Sequence, residues 1–223
     1  MNTITINKEN IDDSFSKIKD VNLIKLVDID FNLINIDINS YKKCNKLFLD
    51  NVKINNIDFS EVFVNIEFLY LENQNCDIRI FSKLFPNLVQ LSIRKCSIQD
   101  DFESIFKSLR YLEIRECKTN IIPKFIYNIS ILNSLHIGEN SLPLVIPKDL
   151  INISTLRELI LNDQEITYFN YPLNNIQLKD ENDFFQIMIV DCTIKNFPKD
   201  IENLDKNIYF HIRNCNFENY SHC

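Results

Sequence analysis

The chain has 223 residues, of which 45% are hydrophobic, and it contains no tryptophan and a single glycine, Gly138. Its formal net charge of −7 argues against a general binder of nucleic-acid backbones, because such proteins need a basic face. A single glycine also excludes a glycine-rich phosphate loop, a dinucleotide fingerprint and a nucleophile elbow. We therefore expect a non-enzymatic protein without a cofactor.

The predicted strands follow one pattern: two apolar residues, separated by one residue, return about every 20–24 residues. A repeat of this length indicates a solenoid. We number each repeat so that the pair occupies positions 4 and 6 of a short strand. The pairs are Val27 and Ile29, Leu47 and Leu49, Leu69 and Leu71, Leu91 and Ile93, Leu112 and Ile114, Leu135 and Ile137, Leu159 and Leu161, Ile187 and Ile189, and Phe210 and Ile212. Position 11 is also mostly apolar, at Ile34, Ile54, Cys76, Ile98, Leu142, Ile166, Ile194 and Phe217.

Two isoleucines near the N-terminus predict a further strand ahead of these nine repeats. Ile4 and Ile6 have the same spacing as the later pairs, but Glu9 stands where an Asn or Cys is typical. We interpret residues 1–23 as a degenerate capping repeat, with a short helical turn at residues 12–19. Residues 24–217 then hold nine repeats, residues 218–223 form a C-terminal tail, and the whole chain is a single domain.

Three of the segments that connect the strands carry a proline just after position 11, at Pro123, Pro147 and Pro198. Proline lacks a backbone donor and stops a strand, so we predict a short turn or 3₁₀ helix after each one. One spacing, from Leu159 to Ile187, is longer than the others, and its extra residues around 168–183 must form a loop. This loop is either a solvated connection or a functional element.

The stretch from Leu109 through Leu112 and Ile114 to Cys117 fits the spacing L-x-x-L-x-L-x-x-N/C-x-L. In this motif the chain resembles the leucine-rich repeat superfamily. Its proline-containing connections resemble the I/L-P-x-x-I-x-N-L linker of intracellular members with 23-residue repeats. The resemblance implies an α/β solenoid: a right-handed, curved array with a parallel sheet on the concave face and short helical, 3₁₀ or irregular returns on the convex face.

Position 9 holds a set of small polar residues and thiols. The resemblance implies that they turn inward after each strand and bond to backbone carbonyls, which forms a structural ladder. Its members are Asn32, Cys96, Cys117, Asn140, Cys192 and Cys215. A redox switch or a metal site built from neighbouring cysteines is the alternative. We favour the structural ladder, because buried thiols away from cations are usually inert and no metal-binding spacing is present.

Positions 3, 5 and 7 alternate with the core positions and should face solvent on the concave surface. There we predict a partner-binding surface in which acidic and aromatic residues precede two arginines. Its members are Asp28, Asp30, Phe48, Asp50, Phe68, Tyr70, Glu72, Arg94, Tyr111 and Arg115. The alternative is a cross-strand ladder that only stabilises the sheet.

The resemblance implies a non-enzymatic scaffold that binds another protein on its concave face, and we expect a monomer. A regulatory or inhibitory subunit that occludes an enzyme is the first alternative, and the substrate-recognition arm of a ubiquitin-ligase-type assembly is the second. The chain shows neither a signal peptide nor an apolar run long enough to cross a bilayer. Seven cysteines without a signal predict free thiols and a cytoplasmic location.

Overall fold

A computed structural model describes residues 2–10, 20–31, 42–54, 62–99, 106–176, 178–181, 183–198 and 204–218. Ten parallel strands form the main sheet, and their order in the sheet is their order in the chain. With strands numbered along the whole chain, they are β1 (Thr3–Ile6), β2 (Leu23–Val27), β3 (Lys46–Asp50), β4 (Phe68–Glu72), β6 (Gln90–Arg94), β8 (Tyr111–Arg115), β9 (Ser134–Gly138), β11 (Glu158–Asn162), β13 (Phe185–Val190) and β15 (Ile208–Arg213). This is the predicted parallel-sheet solenoid.

The strands form because their apolar residues alternate and stack in register from one repeat to the next. In β3 and β4 the residues at positions 4 and 6 are fully buried, whereas their neighbours at positions 3, 5 and 7 are half-buried on the other face. Parallel pairing places equivalent residues side by side, as in Leu47 next to Leu69. The buried residues therefore form one continuous hydrophobic core along the solenoid.

The first full repeat starts three residues earlier than predicted. Ile24 pairs with Leu47 and Leu26 with Leu49, so these two residues occupy positions 4 and 6, and Val27 and Ile29 do not. A residue with a left-handed backbone follows each main-sheet strand from β2 onward, and after β2 this residue is Asp28, with a φ of 52°. The predicted alignment would place Phe31 there, although bulky side chains rarely adopt this conformation.

The connections contain short helices, as the prolines predict. Pro123 precedes a 3₁₀ helix at Lys124–Asn128, and Pro147 precedes one at Lys148–Asn152. The segment after Pro198 lies outside the described residues, as do the predicted turn at 12–19 and the C-terminal tail beyond residue 218. A third 3₁₀ helix, Leu173–Asn175, lies in the long insertion, and one α-helix, α1 (Ile78–Leu84), lies in a connection whose proline, Pro86, follows the helix.

The remaining strands follow position 9 and were not predicted. They are β5 (Asn75–Asp77), β7 (Ser97–Gln99), β10 (Leu144–Ile146), β12 (Glu165–Phe169), β14 (Thr193–Ile194) and β16 (Asn216–Phe217). They form a two-stranded and a four-stranded parallel sheet. In two repeats the predicted position 11 is wrong. The corrected register moves it in the first repeat from Ile34, which lies outside the described residues, to Phe31. In a later repeat Leu142 is 42% exposed, and Leu144 is the buried residue that pairs with Ile166. Two extra residues before Leu144 cause the shift.

No helix among the described residues is both long and apolar enough to span a bilayer.

Candidate functional site

A left-handed residue at position 8 ends nine of the strands and shapes the rim of the concave face. The φ angles of these residues lie between 46° and 55°. They are Asp28, Asn51, Asn73, Lys95, Glu116, Glu139, Asp163, Asp191 and Asn214. Six of them are Asn or Asp, the residue types that tolerate this conformation best after glycine. The turn directs position 9 inward and leaves the side chain of position 8 at the rim.

The thiols at position 9 bond in the same way from repeat to repeat. The thiol of Cys96 donates to the carbonyl of Leu71, at position 6 of the preceding strand, over 3.6 Å. Cys117 donates to the carbonyl of Ile93 over 3.7 Å. Cys192 and Cys215 make the equivalent contacts, at 3.5 and 3.4 Å. Burial raises the pKa of Cys117 and of Cys192 to about 11, so both thiols stay protonated at neutral pH.

Asn140 departs from this pattern. Its Oδ1 accepts a hydrogen bond from the backbone N–H of Cys117 at 2.8 Å, and its buried Nδ2 has no partner among the described residues. Asn32, the predicted first member, lies outside the described residues. The corrected register assigns position 9 of that repeat to Ile29 instead, because this residue follows the left-handed Asp28.

Three aromatic rings on adjacent strands form what we call the N-terminal patch: Phe48, Phe68 and Tyr70. Phe48 and Tyr70 occupy position 5 of β3 and β4, and their rings stack with centroids 6.4 Å apart. A lysine lies over each phenylalanine. Lys25 Nζ is 4.4 Å from the ring centroid of Phe48, and Lys46 Nζ is 4.9 Å from that of Phe68. The sequence pattern correctly predicts that the three rings lie together. It does not predict the lysine–ring contacts, because the predicted register places Lys25 outside the first strand.

The acidic column beside this patch is shorter than predicted. Asp50 and Glu72 occupy position 7 of β3 and β4, on the concave face. Asp28 lies at the rim and Asp30 beyond it, where its backbone bridges to Lys53, so neither occupies the strand positions predicted for them.

Side chains of the protein itself already contact both acids of this column. Asp50 accepts a hydrogen bond from Asn73 at 2.8 Å, and Glu72 lies 3.4 Å from Lys95.

The two predicted arginines are engaged with acids of the same chain. Arg94 forms an ion pair with Glu116, and Arg115 forms one with Glu139, in each case at position 8 of the following repeat. The cross-strand ladder that we considered as an alternative therefore describes these two residues. Tyr111, at position 3 of β8 and thus at the opposite end of that strand from Arg115, is 47% exposed.

A polar network that the sequence did not predict crosses the centre of the concave face. Ser92 Oγ donates to Glu113 Oε2 at 2.6 Å, and Glu113 Oε1 lies 3.3 Å from His136 Nδ1. His136 Nε2 lies 2.5 Å from Asn162 Oδ1. The bond to His136, with those from Ser92 and the charge of Arg115, lowers the pKa of Glu113 to about 2.

This network does not resemble a catalytic triad. Ser92 bonds to the carboxylate of Glu113 and not to His136, so the histidine is not placed to take the proton of its hydroxyl group. The occurrence of a glutamate and a histidine at position 5 of consecutive repeats was the signal in the sequence that could have revealed the contact. Among the described residues, no group of three or more His, Cys, Asp or Glu side chains could hold a metal ion.

No protein-family model matches this chain, and no curated protein matches it in sequence. Among solved structures, the chain is similar to an internalin from Listeria monocytogenes, with 15% sequence identity and a TM-score of 0.46. The similarity covers 91% of this chain and 75% of the internalin chain. An identity and a TM-score this low support no conclusion about what the chain binds.

Proposed function

We propose that this chain is a non-enzymatic scaffold that binds another protein on its concave face, with the N-terminal patch as the principal contact. The observation that carries the proposal is the set of three rings on two neighbouring strands, Phe48, Phe68 and Tyr70, on the solvent side of the sheet. Rings at these positions contribute little to the core, which lies on the other face.

The energetics of interfaces favour this patch over the centre of the sheet. Buried aromatic side chains supply large contact areas at a small entropic cost and are frequent binding hot spots. Arg94 and Arg115, by contrast, would have to leave Glu116 and Glu139 before they could bind a partner's acid. We therefore expect the charged residues at the centre of the sheet, Arg94 and Arg115 with their glutamates, to orient a partner. The rings should determine how long the partner stays bound.

The test compares wild type with the double variant Phe68→Ala, Tyr70→Ala as bait in quantitative capture from cell extract. The control variant is Lys148→Ala, an exposed residue in a 3₁₀ helix of a connection. We expect a protein that binds wild type and the control but not the ring variant. With that protein purified, the ring variant should raise Kd by about 30-fold or more, since two hot-spot rings are removed.

Two results would refute the proposal. One is that no captured protein distinguishes the folded ring variant from wild type. The other is that the purified partner binds the ring variant with unchanged affinity.

We also propose a cytoplasmic location and a monomeric state. The six described cysteines are free thiols, which supports a reducing compartment.

A further inference from the structure

The charge pairing along the rim of the concave face stops after Glu139. Upstream of that point, an arginine at position 7 of one strand neutralises the glutamate at position 8 of the next repeat: Arg94 pairs with Glu116, and Arg115 with Glu139. The next two acids at position 8 are Asp163 and Asp191, and both are exposed.

The residues at position 7 that precede these two aspartates carry no charge. Gly138 occupies the position equivalent to Arg94 and Arg115 in the repeat before Asp163. Asn162 occupies the equivalent position in the repeat before Asp191. Asn162 Nδ2 donates to Asp163 at 2.9 Å, which leaves the negative charge in place. Among the described residues, no cationic side chain lies within ion-pair distance of either aspartate.

The sheet beside these two aspartates presents three apolar side chains, between Asn162 on β11 and Arg213 on β15. Ile160 and Met188 are neighbours at position 5 of β11 and β13, and Val190 follows at position 7 of β13. All three are half-buried on the solvent side of the sheet. We call these five residues, Ile160, Asp163, Met188, Val190 and Asp191, the C-terminal patch.

The glycine of the chain keeps this part of the face open. A Cβ atom added at Gly138 would lie 2.1 Å from Asn162 Oδ1 and 2.6 Å from the Asn162 carbonyl oxygen. The Asn162 side chain therefore occupies the space in which a residue at position 7 would otherwise stand. As a result no side chain at position 7 of β9 lies beside Asn162 and Asp163.

From this geometry we infer that the C-terminal patch binds a cationic, partly apolar segment of a partner protein. Apolar atoms of that segment cover Ile160, Met188 and Val190, and its Lys or Arg side chains take the place of the missing arginines beside Asp163 and Asp191. The inference rests on the proposed function, because it specifies the chemistry of a partner on the same concave face. An acidic segment is disfavoured there, since its charges would face two unneutralised carboxylates.

Three fluorescein-labelled peptides serve as probes in anisotropy titrations at about 0.15 M salt, where long-range attraction between exposed charges is screened. One alternates Lys with Leu, one alternates Lys with Ser, and one alternates Glu with Leu. The test variant is Asp163→Asn with Asp191→Asn. Asparagine keeps the left-handed backbone at both positions, so we expect the fold to persist.

The matched control is Asp149→Asn with Glu181→Gln, which removes the same two charges from exposed positions away from the concave strands. We expect the Lys–Leu peptide to bind wild type and the control equally and the test variant about tenfold more weakly or worse. The Lys–Ser and Glu–Leu peptides should bind weakly to all three proteins.

The inference would be overturned if the control variant weakened binding of the Lys–Leu peptide as much as the test variant does, or if the Lys–Ser peptide bound wild type as tightly as the Lys–Leu peptide. Either result would indicate general attraction to an acidic protein. Unchanged binding by the test variant would overturn it too. Self-association of wild type that the test variant abolishes would assign the patch to a second copy instead.

The captured partner separates this inference from the proposed function. A partner that needs Phe68 and Tyr70 but tolerates Asp163→Asn with Asp191→Asn would refute the inference and leave the proposed function intact. If no partner depends on the rings, the proposed function fails, and the peptide titrations still decide whether the patch binds cations.

Discussion

The carboxylate of Glu113 lies 3.3 Å from Nδ1 of His136, one repeat further along the concave face. With the bond from Ser92, this contact holds together β6, β8 and β9 on the side of the sheet that faces away from the core. It gives the concave face an interaction whose strength depends on pH.

The first prediction follows from the pKa of Glu113, which is lowered in the folded state from 4.5 to about 2. A carboxylate whose pKa is lower in the folded than in the unfolded state stabilises the folded state at pH values above its unfolded pKa. This stabilisation is lost as the pH falls through the folded pKa. Glu113→Gln should therefore cost about 1–3 kcal/mol at pH 6, and the difference from wild type should shrink between pH 4.5 and 2.

Urea titrations at pH 6, 4 and 3 measure this difference. Glu181→Gln, at an exposed residue of the insertion, is the control and should show no such trend. A constant difference between wild type and Glu113→Gln across the range would mean that the network does not stabilise the fold.

The second prediction concerns the core. Leu112 occupies position 4 of β8 and is 2% exposed, so Leu112→Ala should lower the free energy of unfolding by about 2–5 kcal/mol. Lys118→Ala, at an exposed position after the same strand, should change it by about 0.5 kcal/mol or less. Equal costs in urea titrations would contradict the strand register.

The third prediction concerns the ladder thiols. Cys117 and Cys192 are buried and largely protonated, so both should react with a thiol reagent about 100-fold more slowly in the native protein than in urea. Cys215, which is partly exposed near the C-terminal end, should react sooner. Site-resolved mass spectrometry after timed labelling measures each rate. Native labelling of Cys117 as rapid as that of Cys215 would favour a redox role.

The fourth prediction concerns Gly138. Gly138→Ala places a methyl group against Asn162 and should cost about 1–3 kcal/mol. Adding Asn162→Ala should recover only part of that loss, because the carbonyl oxygen of Asn162 also obstructs the methyl group. A double-mutant cycle from urea titrations measures the recovery. Full recovery would show that the Asn162 side chain alone causes the cost of Gly138→Ala and that the carbonyl oxygen does not contribute.

Periodicity in the sequence was sufficient to determine the fold class, most strand positions and the 3₁₀ helices after Pro123 and Pro147. This succeeds because each repeat buries its apolar face only against its neighbours, so a local pattern repeated along the chain specifies the long-range pairing. The same pattern placed Phe48, Phe68 and Tyr70 on one face, since alternation along a strand determines the face of every residue.

The tertiary structure decided what depends on register and on side chains from neighbouring repeats. In the first repeat, alternation alone permits two alignments, and only the left-handed turn at Asp28 selects Ile24 and Leu26 for the core. From the sequence alone, Arg94 and Arg115 are expected to be free to bind a partner. In the structure each forms an ion pair with a glutamate that follows the next strand of the sheet. The distance between those side chains depends on the spacing between repeats and on the turn that projects position 8, and neither is encoded in a single strand.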